Sequence, residues 1–223
     1  MDKFKKIISL LFKAIAAFFI VTVLTVLLLR FIPAFITPYQ AYNFVMGDGL
    51  EKDWVGYDDI SPHFYRAVIA SEDSRFYEHF GVDWEAVEEA RKHNERYPKK
   101  RRRGASTITM QTAKNTFLWH GRTYIRKAME VYFSYLMEVL WSKKRILTVY
   151  SNVVEFGEGL YGVEAASQKY FNKPASKLTK RQAALLAAVL PNPIRWNPAK
   201  PTNYINRRAN TIMARMNSVR LQD

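Results

Sequence analysis

SPHFYRAVIASED, residues 61–73, decides the fold, because every position in it suits one side or one end of an α-helix. Ser61 suits an N-cap, Pro62 suits the first helical position, and Phe64, Ala67 and Val68 recur at helical spacing. The stretch predicts a helix with an apolar face that delivers two adjacent carboxylates, Glu72 and Asp73, at its end. The same grammar continues along the chain. Asp83 can cap WEAVEEARKHNER, and Ser106 or Thr107 can cap a helix through ITMQTAKNTFL. A helix follows RTY with the stripe Ile125, Met129, Tyr132, Leu136 and Val139, from which Glu130 lies apart. SKKRILTVYSNVVEF leads into FGEGLYG, which reads as a glycine-bearing turn, and VEAASQKYF reads as helix. Thr179 with Gln182 makes a capping box ahead of AALLAAVL, Pro191 ends that helix, and NYINRRANTIMARMNSVRL closes the chain amphipathically. Strand-like alternation is confined to residues 39–58, where a short strand or an ordered linker is expected. The expected class is mainly α, with no repeat of 20 to 50 residues.

Ahead of this region lies a segment of different composition. MDKFKKIISLLFKAIAAFFIVTVLTVLLLRFIPAFITP contains an uncharged run from Ala14 to Leu29, bounded by Lys13 and Arg30. A helix needs roughly 20 residues to cross the hydrocarbon core, and long cationic side chains at its ends can snorkel, so the run with its flanks predicts one span. No A-x-A-like site follows it, so an uncleaved anchor is expected rather than a signal peptide. Lys3, Lys5, Lys6 and Lys13 precede the span and the next cation beyond Arg30 is Lys52. The positive-inside rule then places the N-terminus in the cytoplasm and the rest of the chain outside. The expected division is 1–38, cytoplasmic tip and anchor, and 39–223, one globular domain. The length of 223 residues with 48% hydrophobic and 14% aromatic content supports one substantial core.

The absence of cysteine excludes a disulfide framework and thiolate metal sites. The net charge of +14 calls for an anionic partner or surface. Behind an anchor the candidates are lipid headgroups, phosphorylated lipids and anionic polymer, and nucleic acid is not expected. G-x-x-x-x-G-K-[ST], HExxH, GxSxG and SxxK with KTG are all absent, so nothing supports a P-loop or the hydrolases those motifs mark.

Three constellations could carry chemistry. AVIASEDSRFYEHFGVDW, residues 67–84, sets Glu72 and Asp73 after a buried-looking run, where a carboxylate can be tuned for proton transfer. The plainer reading pairs both with Arg75 and His79. GASTITMQTAKN, residues 104–115, places Thr107, Gln111, Lys114 and Asn115 on one polar helix face. A glycine-led helix N-terminus there is a ready anion site, and Lys114 with Arg122 could bracket a phosphate or pyrophosphate, although a solvated face has the same pattern. RTYIRKAMEVYF, residues 122–133, sets Arg126 one turn before Glu130, which alone reads as an i, i+4 ion pair.

EDSRFYEHFG, GASTITMQTAKN, RKAMEVYF and NVVEFGEGLYGVEAASQKYF, in this order, resemble the motifs of the peptidoglycan glycosyltransferase family, in its monofunctional, Gram-negative type. The resemblance runs from about Ile60 to about Pro198, with a fainter echo in RRANTIMARM, and the length leaves no room for the transpeptidase domain of bifunctional relatives. It implies a lysozyme-like helical lobe with a smaller membrane-proximal jaw behind one N-terminal transmembrane helix. It also implies polymerisation of lipid II into β-1,4-linked glycan with loss of undecaprenyl pyrophosphate, in the bacterial inner membrane with the catalytic domain periplasmic. Glu72 matches the general base of E-D-x-x-F and Glu130 the second glutamate, in R-K-x-x-E. Lys114 and Arg122 match cations at the donor pyrophosphate, and Ser106, Thr107, Gln111 and Asn115 match polar cleft positions. A divalent cation, Mg or Mn, is implied as a possible helper with Glu130 as its candidate ligand. The implied partners are lipid II, the growing glycan strand, membrane lipids and other cell-wall synthesis or division proteins. The run KKRRR, 99–103, has no strict counterpart and is expected to attract lipid phosphates or headgroups. Met110 replaces the first of two usual glutamines, which puts one cleft hydrogen bond in question, and Ser151 replaces a usual leucine, which touches packing. Two rivals share features of the chain: a membrane-anchored lytic glycan hydrolase, which a lysozyme-like fold also suits, and a non-catalytic scaffold gripping anionic lipid or polymer.

Overall fold

The computed structural model describes all residues except Met1, Arg101, His120, Arg122 and Asp223, together with the backbone but not the side chain of Asp2. The described chain divides into two compact units, residues 1–33 and 34–223. The first holds helix α1, Asp2–Leu28. Its 27 residues make a rod of about 40 Å, more than the hydrocarbon core requires. Phe12, Phe19, Ile20 and Leu24 are exposed along it, and Thr22 and Thr25 return their hydroxyls to the carbonyls of Phe18 and Val21, so the rod presents hydrocarbon outward. Such a helix is long and apolar enough to cross a membrane.

The second unit is mainly helical. Helix α2 spans Pro38–Met46, α3 Pro62–Glu72, α4 Trp84–Arg96, α5 Ile108–Phe117 and α6 Tyr124–Leu140. Helix α7 spans Lys143–Val153, α8 Val163–Phe171, α9 Lys180–Val189 and α10 Asn203–Arg215. The caps expected from sequence are in place: Ser61, Asp83, Thr107 and Thr179 each accept a hydrogen bond from the first turn they precede. Helix α9 is almost all Ala and Leu on its buried side, with Ala183, Ala184, Leu186 and Ala187 at 0% exposure. These small side chains let it lie close to α3 and α10, where Phe64, Ala67 and Val68 meet Ile205, Ala209 and Ile212 in one core. A second packing group joins α5 to α2, α6 and α7.

Three local expectations are corrected. Residues 38–46 are helix, not strand or linker: Thr37 accepts from the Gln40 amide, Gln40 Oε1 accepts from the Thr37 amide at 3.2 Å, and Pro38 fills the first helical position. That reciprocal box outweighs the alternation of aromatic residues. The short strand of the 39–58 region is only β1, Glu51–Lys52. The glycine-bearing turn is flanked by β2, Glu155–Gly157, and β3, Leu160–Tyr161, in a sheet of order β1-β3-β2 with β1 parallel and β2 antiparallel to β3. Gly159, at φ +66°, is required there because a Cβ would lie 2.0 Å from the Asp48 carbonyl oxygen.

The third correction concerns α6. The apolar stripe read from sequence is not its buried face, since Ile125 is 72% and Val139 69% exposed. The buried face is Glu130, Phe133, Ser134 and Met137. A glutamate at the head of that face disguised it, and Glu130 tolerates burial because two cations lie on it.

Candidate active site

Glu72 ends α3 and stands against a cavity of about 420 Å³, lined also by Asp73, Ser74, Arg75, Gly104 and Ser106. The carboxylate is mostly buried, and its neighbours are weak compensation. Gln111 Nε2 donates to Oε2 at 3.2 Å, Ser71 Oγ reaches Oε1 at 3.5 Å, and the Arg208 guanidinium stops 3.6 Å away. Burial raises the Glu72 pKa above the ordinary carboxylate value, and the Gln111 hydrogen bond and Arg208 only partly offset it. A carboxylate held so, partly starved of water and facing a cavity, is a proton acceptor in waiting.

The adjacent Asp73 has a structural task. Ile108 N donates to its Oδ2 at 2.9 Å, and His79 Nε2 lies 3.0 Å from its Oδ1. Arg75, which the plainer reading gave to this pair, turns away to Asp83 and Glu85. Asp73 therefore fastens the start of α5 to the end of α3, and so fixes Gln111 against Glu72.

This overturns the expectation that the start of α5 awaits a phosphate. Its first amide is taken by Asp73 and its third, Met110 N, by Thr107 Oγ1 at 3.1 Å. The Thr107 hydroxyl also donates to the Gly81 carbonyl at 2.6 Å, so it is engaged by the fold while the residue lines the cavity at Glu72. Met110 is 2% exposed and lies in the core, on a different face from Gln111. Ser151, fully buried, satisfies its hydroxyl on the Leu147 carbonyl at 2.7 Å.

Lys114 lies three residues beyond Gln111, about 4.5 Å along the helix axis. No described carboxylate comes within 4.0 Å of its ammonium, and burial lowers its pKa, with Glu130 and Glu155 opposing the shift and Arg126 and Lys127 adding to it. Asn115, next along α5, is buried. Glu130, 4% exposed, takes Arg126 Nη1 at 2.5 Å on Oε1 and Lys127 Nζ at 3.0 Å on Oε2. Lys127 Nζ also donates to Ser106 Oγ at 3.1 Å, which brings exposed Ser106 into the same group. Lys114, Arg126 and Lys127 thus face the buried Glu130 and the half-buried Glu155, leaving a positive excess suited to an anion. Arg122 lies outside the described residues, as does Arg101 of the basic run.

Glu130 is a poor start for a divalent cation. Both its oxygens already face cations, and the described residues contain no group of three or more His, Cys, Asp or Glu placed to hold a metal.

Sequence reasoning missed Lys127 and gave Arg126 only an i, i+4 ion pair with Glu130. The R-K-x-x-E spacing was the available signal, since i, i+3 and i, i+4 cations on one helix converge on the same carboxylate. It missed Asp73 as the fastening of α5 and Arg208 as the cation nearest Glu72, because both contacts join segments far apart in sequence.

Residues 40–217 match the family model described as transglycosylase. Among similar chains, a biosynthetic peptidoglycan transglycosylase of Rhodospirillum centenum is 53% identical over 192 residues, 86% of this chain and 82% of that one. A protein of the same name from Bacteroides thetaiotaomicron is 48% identical over 221 residues, 96% of this chain and 88% of its own. One from Escherichia coli O127:H6 is 57% identical over 165 residues, 74% and 68% of the two chains.

Proposed function

The chain belongs to the transglycosylase family, and on that premise we propose that it polymerises lipid II into β-1,4-linked peptidoglycan glycan with release of undecaprenyl pyrophosphate. The observation that carries the reading is a half-starved carboxylate, Glu72, held by Gln111 of α5, together with a desolvated ammonium, Lys114, one turn further along the same helix and with no described carboxylate within 4.0 Å.

In this reaction the acceptor sugar's 4-hydroxyl attacks the anomeric carbon of the growing chain, the bond to pyrophosphate breaks, and the α-linked donor becomes β-linked. A single inversion needs one base and stabilisation of one leaving group. Glu72 takes the hydroxyl proton as the new C–O bond forms, its raised pKa making it a better acceptor than a solvated carboxylate. Lys114 meets the charge that develops on the pyrophosphate, with Arg122 as its companion by family position. Glu130 holds Arg126 and Lys127 in place beside Lys114 and takes no proton. Any divalent cation would have to be held largely by the pyrophosphate itself.

A lytic hydrolase would have no use for a desolvated ammonium on the helix that meets its catalytic carboxylate, and a scaffold would have no use for a buried Glu72. A substrate tethered to the bilayer is best reached by an enzyme tethered there, and α1 supplies the tether by raising the effective concentration. The N-terminus is cytoplasmic and the domain periplasmic on this reading, so a reporter fused after Asp223 is active outside the cytoplasm; activity only inside would contradict the topology. Purified protein with labelled lipid II in detergent yields glycan polymer. Cleavage of preformed glycan, or binding without product, would refute the proposal.

A further inference from the structure

Away from the cleft, a groove of about 460 Å³ runs between the start of α3, the start of α9 and the segment after α10, and shares no lining residue with the cavity at Glu72. Four of its lining side chains are His63, Arg66, Lys180 and Arg220, and none is Asp or Glu. The imbalance extends into the sequence, because residues 165–222 contain many Lys and Arg but no Asp or Glu. No described carboxylate lies within 4.0 Å of the charged groups of Arg66, Lys180 or Arg220. The Arg66 Nε is fully buried and has no hydrogen-bond partner among the described residues. Lys180 reaches only a neutral atom, Asn217 Oδ1, at 2.7 Å.

Arg66 lines the groove, and the planar fork of N–H donors on a guanidinium matches a planar oxyanion in two-point contact. The rest of the lining includes Met216 and Leu221, which would leave a freely hydrated inorganic ion poorly served. We propose that this groove is a second binding site, which takes a carboxylate carried on a short apolar stem, such as the free C-terminus of a small peptide. The carboxylate sits between Arg66 and Lys180, and the stem lies against Met216 and Leu221. Charged partners at the groove make the interaction sensitive to salt, but less so than a surface contact, because Arg66 is partly withdrawn from solvent.

The test uses the full chain in detergent micelles and calorimetric titration with three probes: N-acetyl-alanyl-alanine, its C-terminal amide, and inorganic phosphate. The expected result is saturable binding of the free acid, no saturation with the amide, and weaker response to phosphate. Arg66→Gln weakens the acid roughly tenfold or more, and Lys180→Gln gives a second reading should the first variant not fold, with thermal melts confirming the fold of each. Equal binding of acid and amide, a response to phosphate alone, no saturation, or unchanged affinity in both variants would overturn the proposal. So would binding seen only after removal of Asp223, since the groove would then serve the chain's own terminus.

Discussion

Glu72 and Glu130 are both withdrawn from water, yet the protein treats them in opposite ways. Around Glu130 it places Arg126 at 2.5 Å and Lys127 at 3.0 Å, so both carboxylate oxygens are engaged in holding cations. Around Glu72 it places a neutral amide at 3.2 Å and leaves the nearest cation at 3.6 Å. The first arrangement compensates for burial and the second leaves part of its cost standing. The two glutamates therefore sit in two different environments, and on the proposed mechanism the partners within hydrogen-bond reach divide their roles.

Removing the undercompensated side of this contrast should have the largest effect. Glu72→Gln keeps the shape and can still bond Gln111, but cannot accept a proton, so glycan synthesis should fall by roughly 10² to 10⁴-fold while lipid II binding persists. Turnover within a few-fold of the parent would make Glu72 a structural carboxylate. Next, Lys114→Ala should cost about 2–4 kcal/mol of transition-state stabilisation, read as lost kcat/KM in detergent and insensitive to salt. Neutralising residues 99–103 should instead weaken salt-sensitive binding to anionic vesicles and spare turnover in detergent. Equal losses of one kind from both changes would erase the distinction between site and surface.

The other side of the contrast should show itself in stability. Glu130→Gln leaves Arg126 and Lys127 without their shared carboxylate. The loss should be about 2 kcal/mol in chemical unfolding, less than a fully buried pair because Lys127 is half-exposed. No change in stability would mean that the ion pairs are idle. The smallest effect concerns Glu155, whose carboxyl is pushed up to about 6 by burial. Between the ordinary value of 4.5 and about 6 the native state keeps a proton that the unfolded chain releases, so this group subtracts stability as pH rises through that window. Glu155→Gln should match the parent near pH 4 and exceed it at pH 7.5 by about 1 kcal/mol, allowing for partial exposure. A variant equally displaced at both pH values would show that charge is not the cause.

The contrast also marks what sequence could reveal. Helices α3, α4, α5 and α9 were legible because Ser61, Asp83, Thr107 and Thr179 are local signals, read within four residues of where they act. Helix α2 had the same kind of signal in Thr37, Pro38 and Gln40, but its aromatic residues spoke louder as a strand. Glu72, Lys114 and Glu130 were legible as motif positions, yet their environments were not. Asp73 meets Ile108 across 35 residues, Gln111 meets Glu72 across 39, and such pairings depend on how whole helices dock. The role of the α5 N-terminus was misread for that reason: a free helix start and one already holding an aspartate look the same in one dimension.

The measurement that bears most directly on the division of roles is the pH dependence of glycan synthesis by the parent, Glu72→Gln and Glu130→Gln under saturating lipid II. The parent should lose activity as pH falls through a limb set above the ordinary carboxylate range, because burial raises the Glu72 pKa and the base must be ionised to work. Glu130→Gln should be slower but keep that limb, whereas the residual activity of Glu72→Gln should be flat across it. A limb that survives in Glu72→Gln and disappears in Glu130→Gln would reverse the two assignments.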